Sequence, residues 1–386
     1  MAAGVRALSL VQIGKESTAG TSVAATRRLL TKDATYRQQQ LQEMFDGQLS
    51  GVLSRSVTAP VITREHSQLE ISTDLDFNQI LFPLLSGVKG GVKPSTPGSG
   101  EARLWTFLPS QTAPSVDSYT LEMVIDDGTT KQEVECPFGV TTSFEITGGV
   151  DALPQISYSL DARKSVDSTY TSGIALPTMT QAFAANLRWV VNVNDTWANL
   201  GNTPMNGQVY GITWSQSAFV QPTYYLQNRD ALDFATTEVV TRTTDLTILT
   251  TYDTGASNFA ETEMAKKDSG TKRFIDCALQ GDAFGSPDAA LQRLINLQGS
   301  FVHADDSMEE IGADRTRFYR CTSSLPMTRP RVMTCNTKFK ITSPRSHRPF
   351  KEDINGTNRS RASRRSFATL GAGRHVRSSA PGVAGT

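Results

Sequence analysis

The sequence predicts a mainly β protein arranged as two tandem halves, each with a short flanking helix. Three observations predict it. Apolar residues alternate with polar ones along most of the chain. The composition leans to Thr, Ser, Ala and Gly, with an apolar fraction of 38%, which suits strands that bury one face and wet the other. Few segments carry an apolar stripe at helical spacing.

Taken along the chain, His66–Ser72 reads as an extended run. Phe77, Ile80, Leu81, Leu84 and Leu85 then fall on one helical stripe, with Pro83 inside it and Gly87 as its stop. Because Pro83 lacks a backbone donor, that helix is expected to kink or to begin late. Leu121, Met123 and Ile125 alternate with Glu122 and Val124, and Asp126-Asp127-Gly128 closes the run as a hairpin turn. Phe144 and Ile146 alternate with Ser143 and Glu145, and Ile156, Tyr158 and Leu160 with Ser157, Ser159 and Asp161. In the second half the strand faces are Trp189, Val191 and Val193, then Ile212 and Trp214, then Leu246 and Ile248. Met333, Cys335, Phe339 and Ile341 end the folded part. A second helix is expected over Ser257–Lys267, with Glu261 and Glu263 early and Lys266 and Lys267 late, as the helix dipole favours. A third is expected from Pro287 through Leu291, Leu294 and Ile295.

The order of patterns repeats. His66–Ser72 leads into the first helix as Thr243–Leu249 leads into the second, and Thr141–Ile146 with Gln155–Leu160 is echoed by Val209–Trp214 with Thr223–Leu226. The expected organisation is a first β domain over 1–165, a second over 181–342, and a basic low-complexity tail over 343–386. At 386 residues the chain is long enough for two cores. Lys89–Gly100, KGGVKPSTPGSG, reads as a flexible loop.

Net charge is zero, yet the tail carries nine Lys/Arg against two Asp/Glu, which leaves residues 1–342 at −7. An acidic body repels nucleic-acid phosphates, so a sequence-reading DNA binder is disfavoured. No stretch has the roughly 18 apolar residues of a membrane span, and MAAGVRALSLVQIGKES lacks the features of an export signal. Synthesis in a cytoplasm is therefore expected.

The residues offer no catalytic, cofactor-binding or metal-binding constellation. Cys136, Cys277, Cys321 and Cys335 form no Cys-x-x-Cys pair. His66, beside Glu65, has no nucleophile elbow to serve and reads as a strand residue. The acidic cluster from His303 to Glu310 departs from calcium-loop spacing and reads as a solvated loop. The Asp126-Asp127 pair belongs to its turn, and no phosphate-cradling glycine motif occurs. Asn194, Asn355 and Asn358 head glycosylation triplets that matter only in a secretory compartment. Arg359, Arg361, Arg364 and Arg365 are open to two readings, binding of nucleic acid or an acidic partner, or a solubilising end. No enzyme and no cofactor are expected.

The stretch Ile13-Gly-Lys-Glu-Ser-Thr-Ala-Gly-Thr-Ser-Val-Ala-Ala-Thr resembles the opening of siphophage-type bacteriophage tail tube proteins, in which G-x-E-x-x-x-G-T-x-V-x-x-T precedes a strand. The order that follows is also similar: a strand at Leu69–Ser72, an apolar helix ending Leu84-Leu85-Ser-Gly, Trp105-Thr-Phe, the hairpin at Asp127-Gly128, and the strands of 140–160. The resemblance covers about residues 10–165. It departs from the family in chain length and at Pro83. It implies a β-sandwich or barrel domain with an N-terminal arm, whose sheets join copies of the same chain into stacked rings, trimeric if the halves are duplicates and hexameric otherwise. The implied role is a structural subunit of the virion that conducts viral DNA during ejection. The implied further partners are tape measure, tail terminator and baseplate or tip proteins. The arm and the loop Lys89–Gly100 are expected to reach the next ring. Two alternatives stay open: another tandem β-sandwich structural protein (decoration protein, adhesin or pilus shaft), and a carbohydrate-active enzyme using two carboxylates.

Overall fold

The computed structural model describes residues 10–43, 61–88, 94–100, 102–107, 116–126, 131–174, 182–202, 204–205, 208–217, 220–225, 232–240, 243–251, 259–303, 310–311, 316–322 and 338–343. All of these belong to the unit Met1–Ser346. The first half supplies β1 (Leu10–Lys15), β2 (Arg27–Leu29), β3 (Asp33–Glu43), β4 (Val61–Asp74), α1 (Leu81–Gly87), β5 (Arg103–Phe107), β6 (Tyr119–Asp126), β7 (Lys131–Gly149), β8 (Gln155–Ala162) and β9 (Val166–Asp167). The second supplies β10 (Trp189–Asn194), β11 (Val209–Ser217), β12 (Val220–Thr223), β13 (Thr236–Val239), β14 (Thr243–Thr251), α2 (Phe259–Asp268), β15 (Arg273–Ala283), β16 (Gln292–Phe301), β17 (Glu310–Ile311), β18 (Thr316–Thr322) and β19 (Lys338–Ser343). The protein is mainly β, and every pairing between these strands is antiparallel.

The 19-residue β7 organises the first half. Its beginning pairs with β6 and β9, and its end with β8 on one side and β11 on the other. A long sheet therefore runs β3-β4-β8-β7-β11-β14-β18-β17. The alternation read from sequence places Leu69, Ile71, Phe144, Ile146, Tyr158, Leu160, Ile212, Trp214, Leu246 and Ile248 on its buried face. A second sheet, β10-β15-β16-β19-β5, packs its Val191, Ile275, Cys277, Ile295, Leu297 and Phe301 into the same apolar core. Trp214 meets Phe301 edge to face at 5.4 Å, which joins the two layers.

The pairings recur in chain order. β1–β6, β6–β7, β7–β9, β3–β4, β4–β8 and β7–β8 in the first half are matched by β10–β15, β15–β16, β16–β19, β11–β14, β14–β18 and β17–β18 in the second. In both, a helix follows the corresponding strand, α1 after β4 and α2 after β14. The halves are also interleaved, because β11 continues the first half's sheet and β5 joins the second half's.

α1 begins late, as Pro83 requires. Residues 77–80 form a turn, the Phe82 N–H already takes the Gln79 carbonyl, and Pro83 falls within the first turn, where no donor is missed. α2 ends on Lys266, Lys267 and Asp268. Three expectations are corrected. Leu294 and Ile295 belong to β16, not to a helix from Pro287, since Ile295, Leu297 and Phe301 bury one face at period two. β11 pairs with β7 and β14, whereas the strand after it, β12, pairs with β13. The described part of the loop Lys89–Gly100 is held within the chain: Ser95 bridges Leu104, and the Asp288 carboxylate accepts from the Gly100 and Ala102 N–H groups at 3.0 and 2.9 Å. Met333 and Cys335 and the Asp127-Gly128 turn lie outside the described residues, although Asp126 and Lys131 on either side of that turn do pair.

Candidate functional site: a polar sheet face and its open edge

The face of the long sheet turned away from the core carries its chemistry. Cross-strand register aligns Asp33, Ser72, Ser157, Glu145, Ser215 and Asp245 in one row over six strands. A second row holds Thr35, Glu70, Ser159 and Ser143. These side chains are exposed or half-buried and line one shallow groove, apart from Asp245 beyond its end. None of the ten is a cation, so these two rows offer hydroxyls and carboxylates only. Arg37 and His66 lie farther along, beside Gln68 and Asp161. Burial pushes the Asp161 carboxyl above its ordinary range, with His66 acting against that.

The sheet ends differently on its two sides. β2, β9 and β17 are terminal strands of three, two and two residues. β3 is terminal too, but it runs for 11 residues, mostly exposed, and among the described residues only β4 pairs with it. It contains neither Pro nor Lys, the residues that commonly protect an edge.

The segment that resembled the family motif is a built loop. Glu16 is 5% exposed and accepts from the Gly20 N–H at 2.7 Å, the Phe138 N–H at 2.8 Å and the Thr120 hydroxyl at 3.0 Å. Gly20 has φ +80°, a conformation that side chains disfavour. At Gly14 a Cβ would stand 2.5 Å from the Ala24 carbonyl oxygen. Thr26 donates its N–H to the Ile13 carbonyl at 2.8 Å. Gly14, Glu16, Gly20 and Thr26 thus fold 16–26 back over β1, so that residues 10–32 are bound to the body of the protein.

A second buried polar cluster pins α2. The Arg273 guanidinium donates twice to Glu263, at 2.9 and 2.5 Å, and also to Asp195, which takes Lys266 at 3.0 Å. His303 Nε2 lies 3.1 Å from the same Glu263 carboxylate. Every group here is matched to an opposite charge or a hydrogen bond, as a structural clamp is. The rest of the acidic cluster, 304–309, lies outside the described residues, and among those described no group of three side chains could hold a metal ion.

The histidine, cysteine and asparagine side chains named above do not converge. Glu65 faces the interior, paired with Lys164 at 2.6 Å and Gln40 at 2.7 Å, while His66 faces the opposite side of β4. Cys136 and Cys277 are buried thiols. Burial pushes Cys136 up to about 12 and raises Cys277 as well, so neither is an available thiolate at neutral pH. Asn194 is buried in β10, and Asn355, Asn358 and the arginines of 359–365 lie outside the described residues. No described helix is long and apolar enough to cross a membrane. No family model matches the chain, and no curated protein matches it significantly.

Proposed function

We propose that the chain is a structural, non-enzymatic subunit that polymerises into the hollow tail tube of a bacteriophage. The observation that carries this reading is the long sheet: two four-strand blocks, β3-β4-β8-β7 and β11-β14-β18-β17, laid end to end in the same order. In this reading the halves are tandem β-sandwich domains, and three chains supply six such blocks to a ring. The polar face lines the lumen. Its Asp33, Glu70, Glu145 and Asp245 repel DNA phosphates, and its serines and threonines carry no cation to hold them. Stacking with a fixed rotation extends rings into an open tube. Tape measure, tail terminator and baseplate or tip proteins would meet this tube inside and at its ends, and the protein would reside in the virion after assembly in the host cytoplasm. The resemblance of Gly14–Thr26 to the family motif supports the same reading, as does the loop those residues build.

Negative-stain microscopy of the purified protein at high concentration tests it. The expected result is hollow filaments of uniform width with threefold rings. A monodisperse monomer under all conditions that promote assembly would overturn the proposal.

A further inference from the structure

We infer that the outer edge of β3 takes the β17 strand of a second copy of this chain, antiparallel and in the register of the internal β7–β11 junction. This rests on the tube-subunit reading and adds which strands meet, in which direction, and residue by residue where.

The need for a partner comes from β3 itself. An 11-residue edge without Pro or Lys leaves a row of backbone donors and acceptors that a further strand would satisfy. The identity of the partner comes from the second half. β11 stands beside β14 as β3 stands beside β4: Trp214 and Ile212 face Leu246 and Ile248, as Tyr36 and Ala34 face Leu69 and Ile71. The far side of β11 is occupied by β7, with Ile146 opposite Trp214 and Thr147 opposite Thr213. In the second half β17 holds the place of β7, lying beside β18 as β7 lies beside β8. β17 closes the sheet at the end opposite β3, so within one chain the two are separated by the whole sheet. A second copy brings them together by repeating the junction already present inside each chain.

The register follows from the same alignment. Tyr158 faces Ile71 and Tyr319 faces Ile248, so Arg317 corresponds to Ile156. Ile156 pairs with Ile146, and Arg317 pairs with Glu310. Glu310 therefore holds the place of Ile146 and comes opposite Tyr36, with Ile311 opposite Thr35.

Disulfide trapping in assembled tubes tests this. Facing residues of an antiparallel pair have Cα atoms about 4.5 or 5.5 Å apart, which a disulfide spans. The double variants Thr35→Cys with Ile311→Cys, and Tyr36→Cys with Glu310→Cys, should give ladders of linked chains on oxidation. The single variants and the shifted pair Thr35→Cys with Glu310→Cys should stay at the wild-type background. Thr35 is exposed, so the first pair spares the fold. A second readout uses the wild-type chain: amide exchange at Thr35 and Tyr36, the two residues that β17 would face, should slow at least tenfold on assembly. Tubes with no ladder from either matched pair, with an equal ladder from the shifted pair, or with unchanged exchange at Thr35 and Tyr36 would overturn the junction and leave the tube reading standing. A wild-type chain that never assembles would overturn both.

Discussion

At the scale of single residues, buried polar groups do most of the specifying. Glu16 satisfies the half-buried Gly20 N–H and two buried groups, the Phe138 N–H and the Thr120 hydroxyl. Replacing Glu16 by Ala should cost on the order of 3 kcal/mol, read as a lowered urea midpoint, with Glu16→Gln recovering part of it because an amide oxygen still accepts. Asp276 and Asp288 titrate in opposite senses. Burial raises the Asp276 carboxyl, against which Gln298 donates at 3.2 Å and Asn192 at 3.4 Å. A raised carboxyl favours folding below its unfolded pKa of about 3.9, and that contribution is lost as pH rises through the folded value. Asp276→Asn should therefore stabilise the protein at pH 7, with the gain shrinking toward pH 3 in thermal melts. Asp288 is held low, first by the Ala102 N–H and also by those of Gly100 and Ser99. Its contribution is present above about pH 3.9 and fades below it, so Asp288→Asn should destabilise at pH 7 and converge with wild type in acid.

At the scale of elements, the joint between the layers depends on a missing side chain. A Cβ on Gly299 would stand 2.7 Å from the Phe301 ring and 3.4 Å from Trp214. Those rings form the edge-to-face contact that ties β11 to β16, and neither has room to retreat within the core. Gly299→Ala should cost about 1–3 kcal/mol of unfolding free energy by overpacking. β3 presents the complementary case, an element whose outer side pairs with no other described strand. Its three consecutive glutamines, Gln38, Gln39 and Gln40, add no charge to discourage pairing.

For the whole molecule, the relevant quantity is the charge of one face. The formal charge of zero hides an acidic body, and the register then concentrates carboxylates and hydroxyls on the sheet face that the core leaves free. Neutralising Asp33, Glu70, Glu145 and Asp245 to their amides leaves the backbone edges untouched. Tubes of normal width should still form, while DNA ejection from particles carrying them slows, as timed by dye-monitored DNA release. Unchanged ejection kinetics would separate the face from DNA transport without affecting the assembly reading.

Local chemistry was enough to determine the β character, the buried side of β7, β8, β11 and β14, an irregular start to α1 at Pro83 and the lysines that end α2, but not that β6 buries Glu122 and Val124 along with Leu121 and Met123. Alternation is a property of adjacent residues, and a strand reveals its buried side through its own period of two. The same period assigns Ser143, Glu145, Ser157 and Ser159 to the side away from the core, where they lie exposed or half-buried. Strand order, register and the crossing of β5 and β11 between halves were decided only by tertiary structure. The same local rule misread Leu294 and Ile295, because a short apolar run fits a helix or a strand equally until the strand beside it supplies hydrogen bonds. Pairing partners lie scores of residues apart, and no local period encodes them. Whether separate carboxylates become one acidic face, and which edge is left open, is therefore settled when distant strands meet.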